Sequence, residues 1–160
     1  MENKKLIIDY QEYASREELP EADRALLDAA ITAVQGSYAP YSHFSVGAAV
    51  ELEDGSIVSG SNQENAAYPS GTCAERTTVF YANSRYPNLG VRRIAIAARG
   101  TDGTFTPRPI PPCGACRQVL LETEQRAGHP IEVLLYGTDG TYCLHSIKEL
   151  LPLSFDDTFL

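Results

Sequence analysis

Three cysteines and one glutamate from two separated segments are the residues of this chain best suited to chemistry. The stretch TCAER contains Cys73 and Glu75, and the stretch PCGACR contains Cys113 and Cys116. Three thiolates make a donor set that suits Zn²⁺, and a catalytic zinc site leaves its fourth position for water. A carboxylate two residues from a ligand is available to carry protons. The pattern predicts a hydrolytic zinc centre.

The spacing of the cysteines indicates which elements position them. Cys113 and Cys116 stand three residues apart, so both sulfurs face the same way in the first turn of a helix. Pro112 fits just ahead of such a helix. Thr72 is the predicted N-cap of a second helix, over 74–81. Free N–H groups at helix starts favour thiolate over thiol, so we expect the two helix starts to converge on one metal ion.

Charge and direction decide the roles of the neighbouring residues. Residues two apart on a helix point to nearly opposite sides, so Glu75 is predicted to face a water on the metal rather than to ligate the metal. Three thiolates leave excess negative charge, which an arginine donating to the sulfurs would offset. Arg76 stands three residues after Cys73, and Arg117 directly follows Cys116. We assign this role to Arg76 and keep Arg117 as the alternative.

These segments carry a resemblance to a known family. Zinc nucleobase deaminases combine a His or Cys ligand, a nearby Glu that is not a ligand and a later P-C-x-x-C. TCAER and PCGACRQ are similar to that signature in its three-cysteine form. The blocks YAPYSHFSVGAAV, GSNQENAAYPSGTCAER and LLPLSF further resemble the small homotetrameric cytidine deaminases. The resemblance extends from about residue 23 to residue 155.

The resemblance implies a hydrolase of pyrimidine salvage. Its reaction would be zinc-dependent deamination of cytidine and deoxycytidine to uridine and deoxyuridine, with release of ammonia. Cys73, Cys113 and Cys116 would hold one Zn²⁺ per subunit, and Glu75 would serve first as base and then as acid.

The resemblance also implies a substrate site shared between the subunits of a homotetramer. Asn62 and Glu64 would hold the ribose hydroxyls, and Phe44 would pack against the pyrimidine ring. Tyr68 and Phe155 resemble residues that the family donates across subunit interfaces. The implied substrate-binding residues are Phe44, Asn62, Glu64, Tyr68, Ala74 and Phe155.

Each of these residues also has a structural interpretation. On pattern alone, Asn62 and Glu64 are polar residues at a strand end, and Phe44 is a core aromatic. Glu75 suits the first turn of any helix. Cys143 lies on a predicted strand and is typical of a small core or surface thiol.

Two other functions stay open at this stage. If Cys143 were a fourth ligand, the site would be a closed structural zinc module that binds a protein partner. A deaminase of the same fold acting on another cytosine-like compound is the second alternative. The N-x-E pair, Asn62 and Glu64, favours a nucleoside substrate instead.

Composition and charge limit the remaining possibilities. The chain has 160 residues, 43% hydrophobic and 21% charged, which is typical of one globular domain. A net charge of -8 disfavours a nucleic acid or an anionic membrane as partner. The N-terminal lysines precede only three apolar residues, which is neither a signal peptide nor a membrane span. Four cysteines without a secretory signal favour metal binding over disulfides, so we expect a cytoplasmic protein.

Helical and strand patterns alternate along the chain and predict the α/β class. We expect helices over 20–36, 74–81, 113–126 and 146–151, and strands over 44–52, 57–60, 91–98, 131–136 and 141–144. The resemblance implies a three-layer α/β/α sandwich with a mixed central sheet of about five strands. Residues 1–19 are predicted to be an N-terminal extension, either a loose arm or an added edge strand. Residues 20–160 are predicted to form a single catalytic domain.

Overall fold

The computed structural model describes all 160 residues, with six strands and three α-helices. The strands are β1 (Gln11–Tyr13), β2 (Ser45–Leu52), β3 (Ile57–Ser61), β4 (Val91–Arg99), β5 (Glu132–Gly137) and β6 (Gly140–Leu144). The helices are α1 (Glu21–Ala33), α2 (Ala74–Arg85) and α3 (Gly114–Ala127). None of the three helices has the length and apolar character needed to span a membrane.

The strands form one mixed sheet in the order β1-β6-β5-β4-β2-β3. Only β4 and β5 are parallel, and α3 makes the crossover between them. The α/β class predicted from the sequence is confirmed, although the sheet has one strand more than the five expected. The additional strand is β1, which pairs antiparallel with β6. Part of the N-terminal segment is thus an edge strand.

Helices cover both faces of the sheet, which gives the expected three layers. On one face, Leu27 of α1 packs in a cluster with Ala95 of β4. On the other face, Val79 of α2 and Leu120 of α3 share a core with Ile96 of β4. Because consecutive strand residues point to opposite faces, β4 contributes to both cores. This arrangement fixes the starts of α2 and α3 on the same side of the sheet.

Small side chains let α1 approach the sheet closely. Ala95 and Ala97 face α1, whereas Ile94 and Ile96 face the opposite core. A Cβ atom at residue 47 of β2 would lie 2.2 Å from the carbonyl oxygen of Ala30, so only Gly47 fits there.

Some element ends differ from the sequence prediction. The first helix ends as an α-helix at Ala33 and continues as a single 3-10 turn, Val34–Gly36. The helix expected over 146–151 is only a 3-10 turn, Ile147–Glu149, closed by a capping box from Ser146. Gly128 ends α3 in the left-handed conformation with φ 75°.

Candidate active site

The candidate metal ligands lie where two helices begin. Cys73 and Cys113 are the N-cap residues of α2 and α3, and Cys116 lies in the first turn of α3. Two details of the sequence prediction are therefore wrong. Thr72 is not the cap of α2, and Cys113 precedes the first turn instead of lying within it. Neither cysteine side chain makes a capping hydrogen bond, but both residues lie at the positive end of a helix dipole.

The three sulfurs are close enough to share one ion. The Sγ atom of Cys113 lies 3.8 Å from that of Cys73 and 3.5 Å from that of Cys116. All three Sγ atoms lie within 4.8 Å of one another. Sulfurs bound to tetrahedral zinc at about 2.3 Å stand about 3.8 Å apart, so donor type and spacing fit one Zn²⁺ per subunit. Cys143 lies on β6, outside this group, and the four-cysteine alternative lacks its fourth ligand.

Arg76 is the arginine that contacts the sulfur cluster, with Nη2 3.6 Å from Sγ of Cys73. The pKa of Cys73 is lowered to about 5, chiefly by a hydrogen bond from the Cys116 thiol and also by Arg76. The pKa of Cys116 is raised, first because of that hydrogen bond to Cys73 and then because of burial. The surroundings therefore favour a thiolate at Cys73.

Arg117, the alternative, contacts no sulfur. Its Nε donates to the carbonyl oxygen of Pro112 at 2.8 Å, and its Nη1 donates to the carbonyl oxygen of Leu150 at 2.5 Å. Of the two arginines near a ligand in the sequence, only Arg76 is placed to offset thiolate charge directly.

Glu75 lies beside the sulfurs as the second residue of α2, with 5% of its surface exposed. Burial raises the pKa of its carboxyl group, and negative charge on Cys73 acts in the same direction. Hydrogen bonds involving its own backbone N–H and the Cys116 side chain act against that shift. Glu75 is not part of the three-sulfur group. A carboxyl group with a raised pKa next to a metal site can accept and return a proton near neutral pH.

A cleft of about 460 Å³ opens onto this centre. Cys73 and Arg76 lie on its wall, together with Asn62, Glu64 and Tyr68 of the predicted substrate site. Tyr68 lines the cleft of its own chain and is 74% exposed. The sequence analysis did not select six further residues of the wall, which are Tyr41, Ser42, Gln63, Asn65, Gly71 and Thr72.

Asn62 holds the start of β2 in place at the end of β3. Its Oδ1 accepts hydrogen bonds from Ser37 Oγ at 2.6 Å and from the Val46 N–H at 2.8 Å. Its Nδ2 donates to the carbonyl oxygen of Phe44 at 2.9 Å. An amide nitrogen carries two protons, so one remains for a ligand in the cleft. Asn62 thus serves the backbone as well as the cleft.

Glu64 anchors the loop before β2. Its Oε2 accepts hydrogen bonds from the backbone N–H groups of Tyr41 at 2.9 Å and Ser42 at 3.2 Å. The Ser42 hydroxyl and the Tyr41 N–H lower the pKa of the Glu64 carboxyl group, in that order of effect. The group therefore stays ionised and can accept hydrogen bonds from hydroxyl groups of a ligand.

Three predicted substrate residues lie outside the wall of this cleft. Phe44 is half-buried just before β2, and Ala74 is fully buried at the start of α2. Phe155 is 60% exposed in the C-terminal tail, stacked on Phe159 with ring centroids 5.6 Å apart.

Two pairs among the wall residues that the sequence analysis missed differ in the signal that could have found them. Gln63 and Asn65 adjoin the N-x-E pair, so their nearness along the chain was an available signal. Tyr41 and Ser42 come beside Glu64 through long-range contacts that a single sequence does not reveal. His43, His129 and His145 are absent from the donor group.

A known family model matches the part of the chain that contains this site. Residues 20–128 match the family model described as the cytidine and deoxycytidylate deaminase zinc-binding region. The chain belongs to this family. The matched range includes all three clustered cysteines and Glu75, whereas residues 1–19 and the C-terminal tail lie outside it.

Individual relatives agree with the family match. A cytidine deaminase of Halalkalibacterium halodurans is 43% identical over 130 residues, which cover 81% of this chain and 91% of that protein. The crystal structure of cytidine deaminase from Burkholderia pseudomallei has a TM-score of 0.70 at 41% identity, covering 82% of this chain and 97% of the other. The Mycobacterium tuberculosis enzyme has a TM-score of 0.64 at 32% identity, covering 82% and 95%.

Proposed function

We propose that this protein is a hydrolase that deaminates cytidine and deoxycytidine to uridine and deoxyuridine with release of ammonia. The observation that carries the proposal is the junction of two helix starts, where three Sγ atoms lie within 4.8 Å of one another beside the buried Glu75. The relatives named cytidine deaminase support the same reaction.

Cys73, Cys113 and Cys116 would hold the metal. Zinc, when bound, supplies a Lewis acid that lowers the pKa of water. The helix starts and Arg76 partly offset the thiolate charge, which keeps that Lewis acidity useful.

Glu75 moves the protons of the reaction. Its carboxylate accepts a proton from water and delivers it to N3 of cytosine, which makes C4 more electrophilic. The resulting hydroxide adds to C4, and the carboxylate then transfers the proton of the new C4 hydroxyl group to the amino group. The C4–N bond breaks as the C4 carbonyl forms, so one water is consumed and one ammonia is released. Burial keeps the pKa of Glu75 above its ordinary value, which suits both steps.

Asn62 and Glu64 are the residues we assign to the sugar. They sit on the cleft wall, one with a remaining amide proton and the other with an ionised carboxylate. Phe44, Tyr68 and Ala74 are assigned to the base and its surroundings. A nucleoside is thereby preferred over a free cytosine-like compound.

The assembly that we propose is a homotetramer in the cytoplasm, with Tyr68 and Phe155 serving neighbouring subunits. Large exposed aromatic side chains support it, because isolated surfaces seldom leave several such groups in water. Tyr68, Phe80, Tyr81 and Phe155 are each more than half exposed.

The direct test is the ultraviolet absorbance of cytidine incubated with the purified protein, with zinc content measured in parallel. We expect the wild type to consume cytidine and to release an equal amount of ammonia. Cys113→Ser should lose both zinc and turnover, whereas Cys143→Ser, the matched control, should keep both. A fully zinc-loaded wild type that leaves cytidine and deoxycytidine intact would overturn the proposal.

A further inference from the structure

The side chain of Arg117 joins two parts of the chain that are distant in sequence. It follows Cys116 on α3 and turns back, so that Nε reaches the carbonyl oxygen of Pro112 at 2.8 Å. Pro112 is buried and directly precedes Cys113. From the other edge of the same guanidinium, Nη1 reaches the carbonyl oxygen of Leu150 at 2.5 Å. One planar group thus spans the loop that carries a metal ligand and the start of the C-terminal tail.

The chemistry of this contact is specific to arginine. The guanidinium presents several N–H donors in a fixed plane, so it can serve two carbonyl oxygens at once. Arg93, in contrast, is paired with the carboxylates of Asp23 and Glu51, as expected for a structural arginine. Arg117 has no carboxylate partner, and its donors are directed at backbone carbonyl groups.

Other side chains of α3 hold the tail along the same helix. Gln118 Nε2 donates to the carbonyl oxygen of Phe155 at 3.1 Å, and Gln125 Nε2 donates to Asp157 Oδ1 at 2.7 Å. Glu124 accepts hydrogen bonds from Ser146 Oγ and the Ile147 N–H. Among these residues, Arg117 is the one that also contacts the loop before Cys113.

We propose that Arg117 is a positioning residue that couples the metal loop to the C-terminal tail. The orientation of the peptide between Pro112 and Cys113 and the path of the chain at Leu150 are set by the same guanidinium. Occupation of the metal site therefore orders the tail, and an ordered tail retains the metal, since coupling between two sites is reciprocal. The inference rests on the proposed function, because it requires zinc at Cys113.

The test uses the full-length protein and two readouts that do not involve deaminase activity. The first is the rate of zinc release to a chelator. The second is the rate at which chymotrypsin cuts the tail after Phe155 or Phe159, measured by mass spectrometry with and without zinc. The variants are Arg117→Ala and Arg117→Lys. The matched control is Arg126→Ala, which removes another α3 arginine that donates to a proline carbonyl, that of Pro87 at 3.2 Å.

For the wild type, we expect removal of zinc to speed tail cleavage roughly tenfold. Arg117→Ala should release zinc about tenfold faster than the wild type. Chymotrypsin should cut the tail of this variant at the same rate with and without zinc. Arg117→Lys keeps the charge but cannot serve both carbonyl groups in the same geometry, so it should lie between these results. Arg126→Ala should behave as the wild type does. If Arg117→Ala folds poorly, Arg117→Lys decides the question alone.

Two outcomes would overturn the inference. One is wild-type tail cleavage that does not change with zinc, and the other is an Arg117 variant that keeps the full wild-type dependence on zinc. Failure of the proposed function is distinguishable, because it would appear as a wild type that binds no zinc or that binds zinc without deaminating cytidine.

Discussion

Glu75 at the start of α2 and Glu124 near the end of α3 are equally buried, each with 5% of its surface exposed, yet their surroundings differ. Glu124 accepts hydrogen bonds from the backbone N–H groups of Ile131 at 2.8 Å and Ile147 at 3.1 Å, and from the hydroxyl of Ser146. Glu75 has its own N–H and the Cys116 side chain, and burial raises its pKa. A buried carboxylate with several donors stabilises the fold, whereas one with few donors is available for proton transfer.

The difference between Glu75 and Glu124 is expected to have its largest effect on the stabilities of two matched variants. Glu124→Gln places an amide N–H₂ group against donors and should lower the free energy of unfolding by about 2–3 kcal/mol. Glu75→Gln should leave stability unchanged or increase it at pH 7. A raised pKa in the folded state means that wild-type stability falls as pH rises, and glutamine removes that loss. Urea denaturation of zinc-matched samples measures both.

Equal destabilisation by the two substitutions would contradict the comparison, because Glu75 would then be as firmly held as Glu124. A pH series sharpens the result. Any advantage of Glu75→Gln over the wild type should shrink as pH falls, since the wild-type carboxyl group then becomes neutral as well.

Glu64 is intermediate between Glu75 and Glu124 in its hydrogen bonding. Its Oε2 accepts hydrogen bonds from the N–H groups of Tyr41 and Ser42 on the cleft wall. Glu64→Gln should raise KM for cytidine about tenfold with a smaller change in kcat, because a binding contact is weakened before the chemical step. Steady-state kinetics check this. The effect should disappear with 2′,3′-dideoxycytidine, which lacks the hydroxyl groups. An equal rise in KM for both compounds would mean that Glu64 only supports the loop.

Glu53, unlike the other three glutamates, is an exposed residue. Its Oε2 accepts a hydrogen bond from the Gly90 N–H at 3.0 Å, and its Oε1 lies 3.1 Å from Nε2 of His129. The Gly90 N–H and then His129 lower the pKa of Glu53 below its ordinary value of 4.5. Its stabilising contribution is therefore present above pH 4.5 and lost as pH falls further. We expect Glu53→Gln to change Tm only slightly at pH 7 and to reduce its acid dependence, as measured by thermal melts from pH 3 to 7. A large loss at pH 7 would contradict the small role of exposed pairs.

The sequence predicted those parts of the site that depend on local pattern. The two cysteine segments and Glu75 are set by helix starts, whose residue preferences are visible over a few positions. The α/β class follows in the same way from alternating helical and strand patterns. The sixth strand was left open because β1 has only three residues, and its partner β6 lies far along the chain.

The parts that were missed depend on long-range contacts. Arg76 and Arg117 look similar in sequence, since each lies within three residues of a ligand. They differ because Arg117 donates to the carbonyl oxygen of Leu150, 33 residues away in the sequence. In the sequence, Glu124 likewise looks like an ordinary helix glutamate. Its hydrogen bonds with Ser146 and Ile147 are visible only in the structure. Only the tertiary structure distinguishes such residues.

The central claim is that Glu75 carries protons beside a zinc ion held by three thiolates, and one measurement tests it directly. Turnover of cytidine by Glu75→Gln is compared with that of the wild type in samples of equal, measured zinc content. We predict full zinc occupancy and a fall in kcat of at least about a thousandfold, since one group serves as both base and acid. Near-wild-type kcat in a fully zinc-loaded Glu75→Gln would contradict the account.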